Sequence, residues 1–287
     1  MMKQPIITLI TAVLLLAVGG GLIAIAGGPT AMPDGAIQIS ACDQGPTHPA
    51  TSKTTDLDED ASDWGVYCEG TPSWVLTNVA APALDDKSLR CSITGGDSHS
   101  NIHCYRNLLS EPIATEFILT MPFYFTPTTT CNNQGGDSIV QAIEFSMSKW
   151  HLSQRYEFAL QWENVAEIPG DGAPQWRYWD PHQTNRWVPL NPPITQCLQA
   201  GKWYTFTLSG KIVDEQVHYQ QFGITPNVYP LNLPSIQPVT DSTITNNLAV
   251  AIQLDGNGSL SPYDVFIDNV SLVRKPPAQL FLPLILK

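Results

Sequence analysis

Glu116-Phe117-Ile118-Leu119-Thr120-Met121-Pro122-Phe123-Tyr124-Phe125 decides the architecture. Successive side chains of an extended strand point to opposite faces, so Phe117, Leu119, Met121, Phe123 and Phe125 share one side. Glu116, Ile118, Thr120, Pro122 and Tyr124 take the other. The same period recurs downstream. Ile139, Ile143, Phe145 and Met147 stand against Val140, Ala142, Glu144 and Ser146, and Tyr156, Phe158, Leu160 and Trp162 against Arg155, Glu157, Ala159 and Gln161. Tyr204, Phe206 and Leu208, and later Leu248, Val250, Ile252 and Leu254, repeat it. Gly95-Gly96-Asp97, residues 132–136, Pro169-Gly170-Asp171-Gly172 and Asp255-Gly256-Asn257-Gly258 mark turns. No window of helical period competes, so the apolar faces must be buried sheet against sheet. The chain reads as all-β: a two-sheet antiparallel β-sandwich of jelly-roll type.

Composition narrows the function classes. Of the 287 residues 14% are charged, well under the roughly 25% of ordinary domains, and 43% are hydrophobic, which excludes a disordered chain. The formal net charge of −12 excludes a nucleic-acid partner, because phosphate binding needs a basic face. Pro226, Pro230, Pro234 and Pro238 recur every four residues between two strands. Ladder pairing is hard there, and the segment reads as a surface crossover at the border of a groove.

The amino end carries Lys3, then an uncharged apolar run from Pro5 to Ala26 ending in the small-x-small triplet Ala24-Ile25-Ala26. A cleaved signal peptide and an uncleaved signal-anchor both fit, because about 20 apolar residues suffice to cross a bilayer. Either one exports the domain, to a secreted or surface-anchored location, and touches membrane only through that segment. The expected division is 1–26 signal or anchor, 27–55 linker, 56–274 sandwich and 275–287 apolar tail. Cys42, Cys68, Cys91, Cys104, Cys131 and Cys197 suit an oxidising compartment. Cys91 and Cys104 flank a Gly-Gly-Asp-Ser turn and are placed to meet across a hairpin. Cys42–Cys68 and Cys131–Cys197 are the simplest remainder of roughly 15 connectivities.

Three features carry chemistry. Glu144 and Glu157 lie on outward faces of adjacent strand patterns, with Arg155 and Gln161 beside them. Two carboxylates so placed act as acid and base in glycoside cleavage when about 5 to 9 Å apart. The second feature is aromatic: Trp176 and Trp179, with Asp180 and Arg186 close in sequence, offer ring faces to sugar C–H groups and polar partners to hydroxyls. The third is the acidic run from Asp56 to Asp63, a source of hard oxygen ligands. It is not an EF-hand, since Ala61 and Tyr67 stand where that loop needs Gly and Glu.

Ser88-Leu89-Arg90-Cys91-Ser92-Ile93-Thr94-Gly95-Gly96 resembles the early strand of secreted carbohydrate-active jelly rolls, and residues 263–272, with Asp268, resemble their closing strand. The stretch from Ala142 to Tyr219 is similar in layout to concanavalin A-like lectin/glucanase domains. Carbohydrate-binding modules of the galactose-binding-like type share the closing strand. The resemblance implies a glycan partner. It also implies a structural Ca²⁺, held by Asp268 with the amino-terminal acidic run, for which Asp56 is the ligand expected. The laminarinase-type catalytic strand, with two or three acids, has only Glu144 here. The reading is therefore a carbohydrate-binding domain without turnover. The alternatives are a glycoside hydrolase or polysaccharide lyase acting through Glu144 and Glu157, and a structural cell-envelope protein.

Overall fold

The computed structural model describes residues 38–39, 45, 54–97, 100–109, 114–127, 139–166, 172–242, 247–258 and 260–275. The expected signal segment, the apolar tail beyond Lys275, and Cys42 and Cys131 lie outside them. The first strands are β1 (Gln38–Ile39), β2 (Trp64–Glu69), β3 (Ser73–Val79), β4 (Ser88–Thr94), β5 (Asn101–Leu109), β6 (Glu116–Thr126), β7 (Ala142–His151) and β8 (Gln154–Glu163). Then come β9 (Gln175–Trp179), β10 (Trp187–Pro189), β11 (Tyr204–Val213), β12 (Gln216–Ile224), β13 (Asn227–Pro230), β14 (Val239–Thr240), β15 (Asn247–Asp255), β16 (Tyr263–Ile267) and β17 (Ser271–Lys275).

They form the expected two-sheet antiparallel β-sandwich. Sheet A runs β1-β3-β4-β16-β6-β11-β12-β13, with β17 on β6; sheet B runs β10-β9-β8-β7-β15-β5-β2, with β14 on β8. β1 falls inside the expected linker, where Gln38 and Ile39 pair with Val75 and Trp74. The linker is therefore partly built into sheet A.

The alternating residues meet between the sheets. Phe123, Phe206 and Phe222 of sheet A face Phe145, Trp162 and Trp176 of sheet B, with ring centroids 4.4 Å apart for Phe145–Phe206 and 4.6 Å for Trp176–Phe222. Gly210 sits at a β-bulge, where the backbone passes so close to Phe158 that a Cβ would lie 2.4 Å from the ring. The hairpins β7–β8 and β11–β12 turn on Leu152-Ser153 and Asp214-Glu215, all four with positive φ. A type I′ turn needs that conformation, and it carries the right-handed strand twist through two residues.

Cys91 and Cys104 are bonded, but not across a hairpin. Cys91 is in β4 of sheet A and Cys104 in β5 of sheet B, so the bond crosses the core and clamps the two sheets. Cys68 and Cys197 each take part in a further disulfide. The proline-rich segment crosses between the sheets, Ile236 bridging to Val217 of β12 and Val239 pairing with Arg155 of β8, but its first part, β13, does pair in a ladder with β12, against the expectation.

Candidate functional site

Period-two alternation puts one polar row of each strand of sheet B on the outer face. The register aligns these rows across the sheet: Tyr67 opposite His103, then Gln253, Glu144, Gln161 and Arg177. The next row outward is small, with Gly65, Ala251, Ser146 and Ala159 in line beside Tyr105. Small side chains flanked by large ones make a trough. The groove has a volume of about 770 Å³. Trp179, Trp187, Asn185 and Arg186 wall one end, and Tyr67, Tyr105 and Glu69 the other. Five strand spacings of about 4.8 Å separate β9 from β2, so the trough spans roughly 24 Å across the strands.

At the first wall the rings of Trp179 and Trp187 lie 5.1 Å apart, and the Arg186 guanidinium sits 5.8 Å from the Trp179 ring. Both indoles are half-buried. Asp180 is buried and does not line the groove. It organises the loop that carries this wall, accepting from the His182 amide at 3.0 Å and the Gln183 side chain at 3.2 Å, while its own N–H donates to the Arg186 carbonyl at 2.8 Å. Trp150 lines the side and donates to Asp241, just past the proline-rich crossover, at 2.9 Å.

Trp176 requires a correction. It is 0% exposed and points between the sheets, because Trp176 and Tyr178 occupy the inward positions of β9 while Gln175, Arg177 and Trp179 face out. Gln161 is on the outer face but 1% exposed, donating to Asp255 at 3.0 Å and accepting from Arg177. It braces the floor and is not open to a ligand. The brace continues through Arg177 to Glu163 at 3.0 Å, with Gln175 donating to Glu163 at 2.9 Å and Gln253 to Asp255 at 2.6 Å.

The two expected catalytic carboxylates line the same groove without being neighbours. Glu144 is opposite Gln161, and Glu157 is opposite Ser148, four residues further along. Their Cα atoms are therefore about 14 Å apart, from a rise of about 3.4 Å per residue and one strand spacing. Both would have to lean together to reach the separation of a glycosidase pair. Burial, and then the charges of Glu157 and Asp255, hold the Glu144 carboxyl well above the usual range. Burial also raises Glu157, against the pull of Arg155, whose guanidinium is 3.3 Å away. His103, on the same floor, is pushed down to about 4 by burial and by Arg155, and is neutral at pH 7.

Sequence reasoning missed His103, Tyr105, Gln253 and Asp255. The signal was present: Asn101, His103, Tyr105 and Asn107 alternate with Ile102, Cys104 and Leu108. Arg106 interrupts that inward row, since its guanidinium is buried against Asp63 and the Leu57 carbonyl.

A second locus joins the acidic run to the closing strand. Asp58 and Asp268 are both 0% exposed. Asp58 Oδ1 accepts from the Val270 amide at 2.8 Å, and Asp268 Oδ2 from the Leu84 amide at 2.6 Å. The other oxygen of each, Asp58 Oδ2 and Asp268 Oδ1, is buried and meets no hydrogen-bond donor in good geometry among the described residues. Burial pushes Asp58 up to about 6, and Asp268 adds to the rise. Asp56, the ligand expected from the sequence, is exposed instead; Asp58, two residues on, is the one turned inward. The rest of the run is used structurally: Asp60 caps the short 3-10 turn at Ala61–Asp63, and Asp63 pairs with Arg106.

No family model matches the chain, and neither does any curated protein. Among solved structures, it is similar to carbohydrate-binding modules from the β-sandwich superfamily at 7% identity, over 78% of this chain and 63% of that one, with a TM-score of 0.40. It is similar to the cellulose induced protein Cip1 at 10% identity, over 77% and 96%, with a TM-score of 0.44. It is similar to the alginate lyase Aly36B, in complex with an alginate trisaccharide, at 12% identity, over 66% and 82%, with a TM-score of 0.41. The chain thus spans less than two thirds of the first of these. The two-sheet antiparallel β-sandwich of this chain rests on its own strand order.

Proposed function

We propose that the chain is an exported domain that binds a polysaccharide or surface glycan along the outer face of sheet B, without turning it over. One observation carries this reading. The Trp179–Trp187 pair, with Arg186 beside it, closes one end of a trough floored by serine, alanine and amide side chains. Indole faces take the C–H side of sugar rings, and amides and hydroxyls take their hydroxyl groups. The trough crosses the strands, so affinity should rise with oligosaccharide length. Trp179→Ala is expected to weaken binding about 30-fold, corresponding to roughly 2 kcal/mol for a hot-spot aromatic. Retention on an insoluble-polysaccharide and glycan-array panel measures it. An unchanged affinity would move the site elsewhere. Mass spectrometry of the mature amino terminus tests export and anchoring together.

Catalysis is the second reading, favoured by Glu144 and His103, whose shifted proton affinities mark one groove floor. Reducing-end and unsaturated-product assays on the same panel address it, with Glu144→Gln expected to abolish any turnover.

We also propose a structural Ca²⁺ at Asp58 and Asp268. Two buried carboxylate oxygens without a donor in good geometry are costly, and hard anionic oxygens are the ligands calcium takes. At a hundredfold excess over the dissociation constant, an ion bound only by the folded state adds about 2.7 kcal/mol. For a domain of this size that raises the melting midpoint by at least about 5 °C. Thermal unfolding with Ca²⁺ and with EGTA should show the shift, and Asp58→Asn or Asp268→Asn should remove it. Equal wild-type midpoints in the two conditions would refute the site.

A further inference from the structure

The charges lining the groove choose among glycans. Four carboxylates, Glu69, Glu144, Glu157 and Asp255, face it against two cations, Arg155 and Arg186. One of these cations is matched by a carboxylate, and the other stands at the exposed end wall. Arg155 is held by Glu157 at 3.3 Å, and Arg186 lies against the Trp179 ring. A third, Arg177, is on the same face of the sheet but 1% exposed and ion-paired with Glu163. Glu144 is 4% exposed in the middle of the floor, with Gln253 and Gln161 across from it. Those neighbours are amides and bring no positive charge. Asp255 takes hydrogens from the same two amides. The remaining polar lining is uncharged, the neutral His103 included, and contains Asn101, Asn107, Asn185, Ser146 and Ser148 among others.

A uronate or sulfate group entering this trough gives up its hydration and meets carboxylates. A neutral sugar ring meets donors and acceptors matched to its hydroxyls. Like charge in a partly desolvated site is one device for rejecting a wrong partner. Building on the reading of this groove as a glycan site, we infer that it takes uncharged glycan chains and excludes uronate- and sulfate-bearing ones.

The test is affinity electrophoresis of the full chain in gels containing mixed-linkage β-glucan, arabinoxylan or galactan, against alginate, polygalacturonate, dextran sulfate and chitosan, at low and moderate salt. The wild type should be retarded by at least one neutral polymer, equally at both salt concentrations, and bind polyanions at least about 100-fold more weakly. The double variant Glu144→Gln/Glu157→Gln keeps side-chain shape, removes two acidic groups from the floor and frees Arg155 from its carboxylate. It should gain polyanion retention at low salt, with its fold checked by circular dichroism. Salt-sensitive retention of the wild type by alginate, polygalacturonate or dextran sulfate would overturn the exclusion while leaving the groove a glycan site. Retention by chitosan alone would do the same in favour of a cationic chain. A folded double variant that still rejects polyanions would remove the carboxylates from the argument. No retention by any polymer would overturn both the inference and the glycan reading beneath it.

Discussion

Truncating Trp176 to alanine is expected to cost about 3–5 kcal/mol of stability, the usual range for deleting a large buried aromatic. For a domain of this size that lowers the melting midpoint by roughly 6 to 20 °C. The indole contacts Phe145, Phe206 and Phe222 between the sheets, so its loss opens a cavity that rigid strands cannot close. Trp179→Ala, three residues away, should move the midpoint little and act on binding instead. Thermal unfolding of the two variants side by side separates them. A binding defect without destabilisation in Trp176→Ala would contradict the placement of that side chain in the core.

The second large effect is expected at Glu163. Glu163 and Arg177 are 0% and 1% exposed, and their ion pair is closed by amides of Gln161 and Gln175. Removing one partner of such a pair leaves an uncompensated buried charge and costs about 3–5 kcal/mol. Glu163→Leu should therefore destabilise strongly, and Glu163→Leu/Arg177→Met should regain most of the loss, because an apolar pair of similar volume needs no compensation. Chemical denaturation of both variants gives the comparison. If the double variant is as unstable as the single one, the amide network rather than the charge pair carries the stability. The single variant should also weaken glycan retention, since Gln161 and Asp255 hold the trough floor through this brace.

The sandwich was legible because five segments alternate and nearly every member of their inward rows is buried in the core; Ile139 and Tyr204 are only partly covered, and Val140, expected on the outer face, is fully buried. The same rule applied to Gln175-Trp176-Arg177-Tyr178-Trp179 would have turned Trp176 inward, since polar Gln175 and Arg177 share the parity of Trp179. The richness of that segment in aromatics hid its parity. Other features had no local signal. Leu152-Ser153 and Asp214-Glu215 turn hairpins without the Asn-Gly or Asp-Gly that marks such turns. Cys91 and Cys104 are close in sequence yet belong to different sheets, because the chain changes sheet between β4 and β5. Asp58 rather than Asp56 turns inward because the segment before Ala61 is irregular and has no period to read. Strand register, which separates Glu144 from Glu157, is a property of pairing between distant segments and of no single stretch.

Strand order also sets the timetable by which the molecule is finished. β15 is inserted between β7 and β5 in sheet B, and β16 between β4 and β6 in sheet A. Both interior strands come from the last part of the described chain, Asn247–Asp255 and Tyr263–Ile267. A chain emerging amino end first, from a ribosome or an export channel, therefore holds two incomplete sheets until those residues appear, with β5 and β7 each lacking a neighbour. Ala251 and Gln253, which complete the trough floor, arrive with the strand that closes sheet B. Such late, long-range pairing is slow, and it leaves open strand edges exposed meanwhile. On the proposed reading of the trough, ligand capture is then a property of the finished chain alone, since a nascent or truncated one lacks the strand that completes the floor.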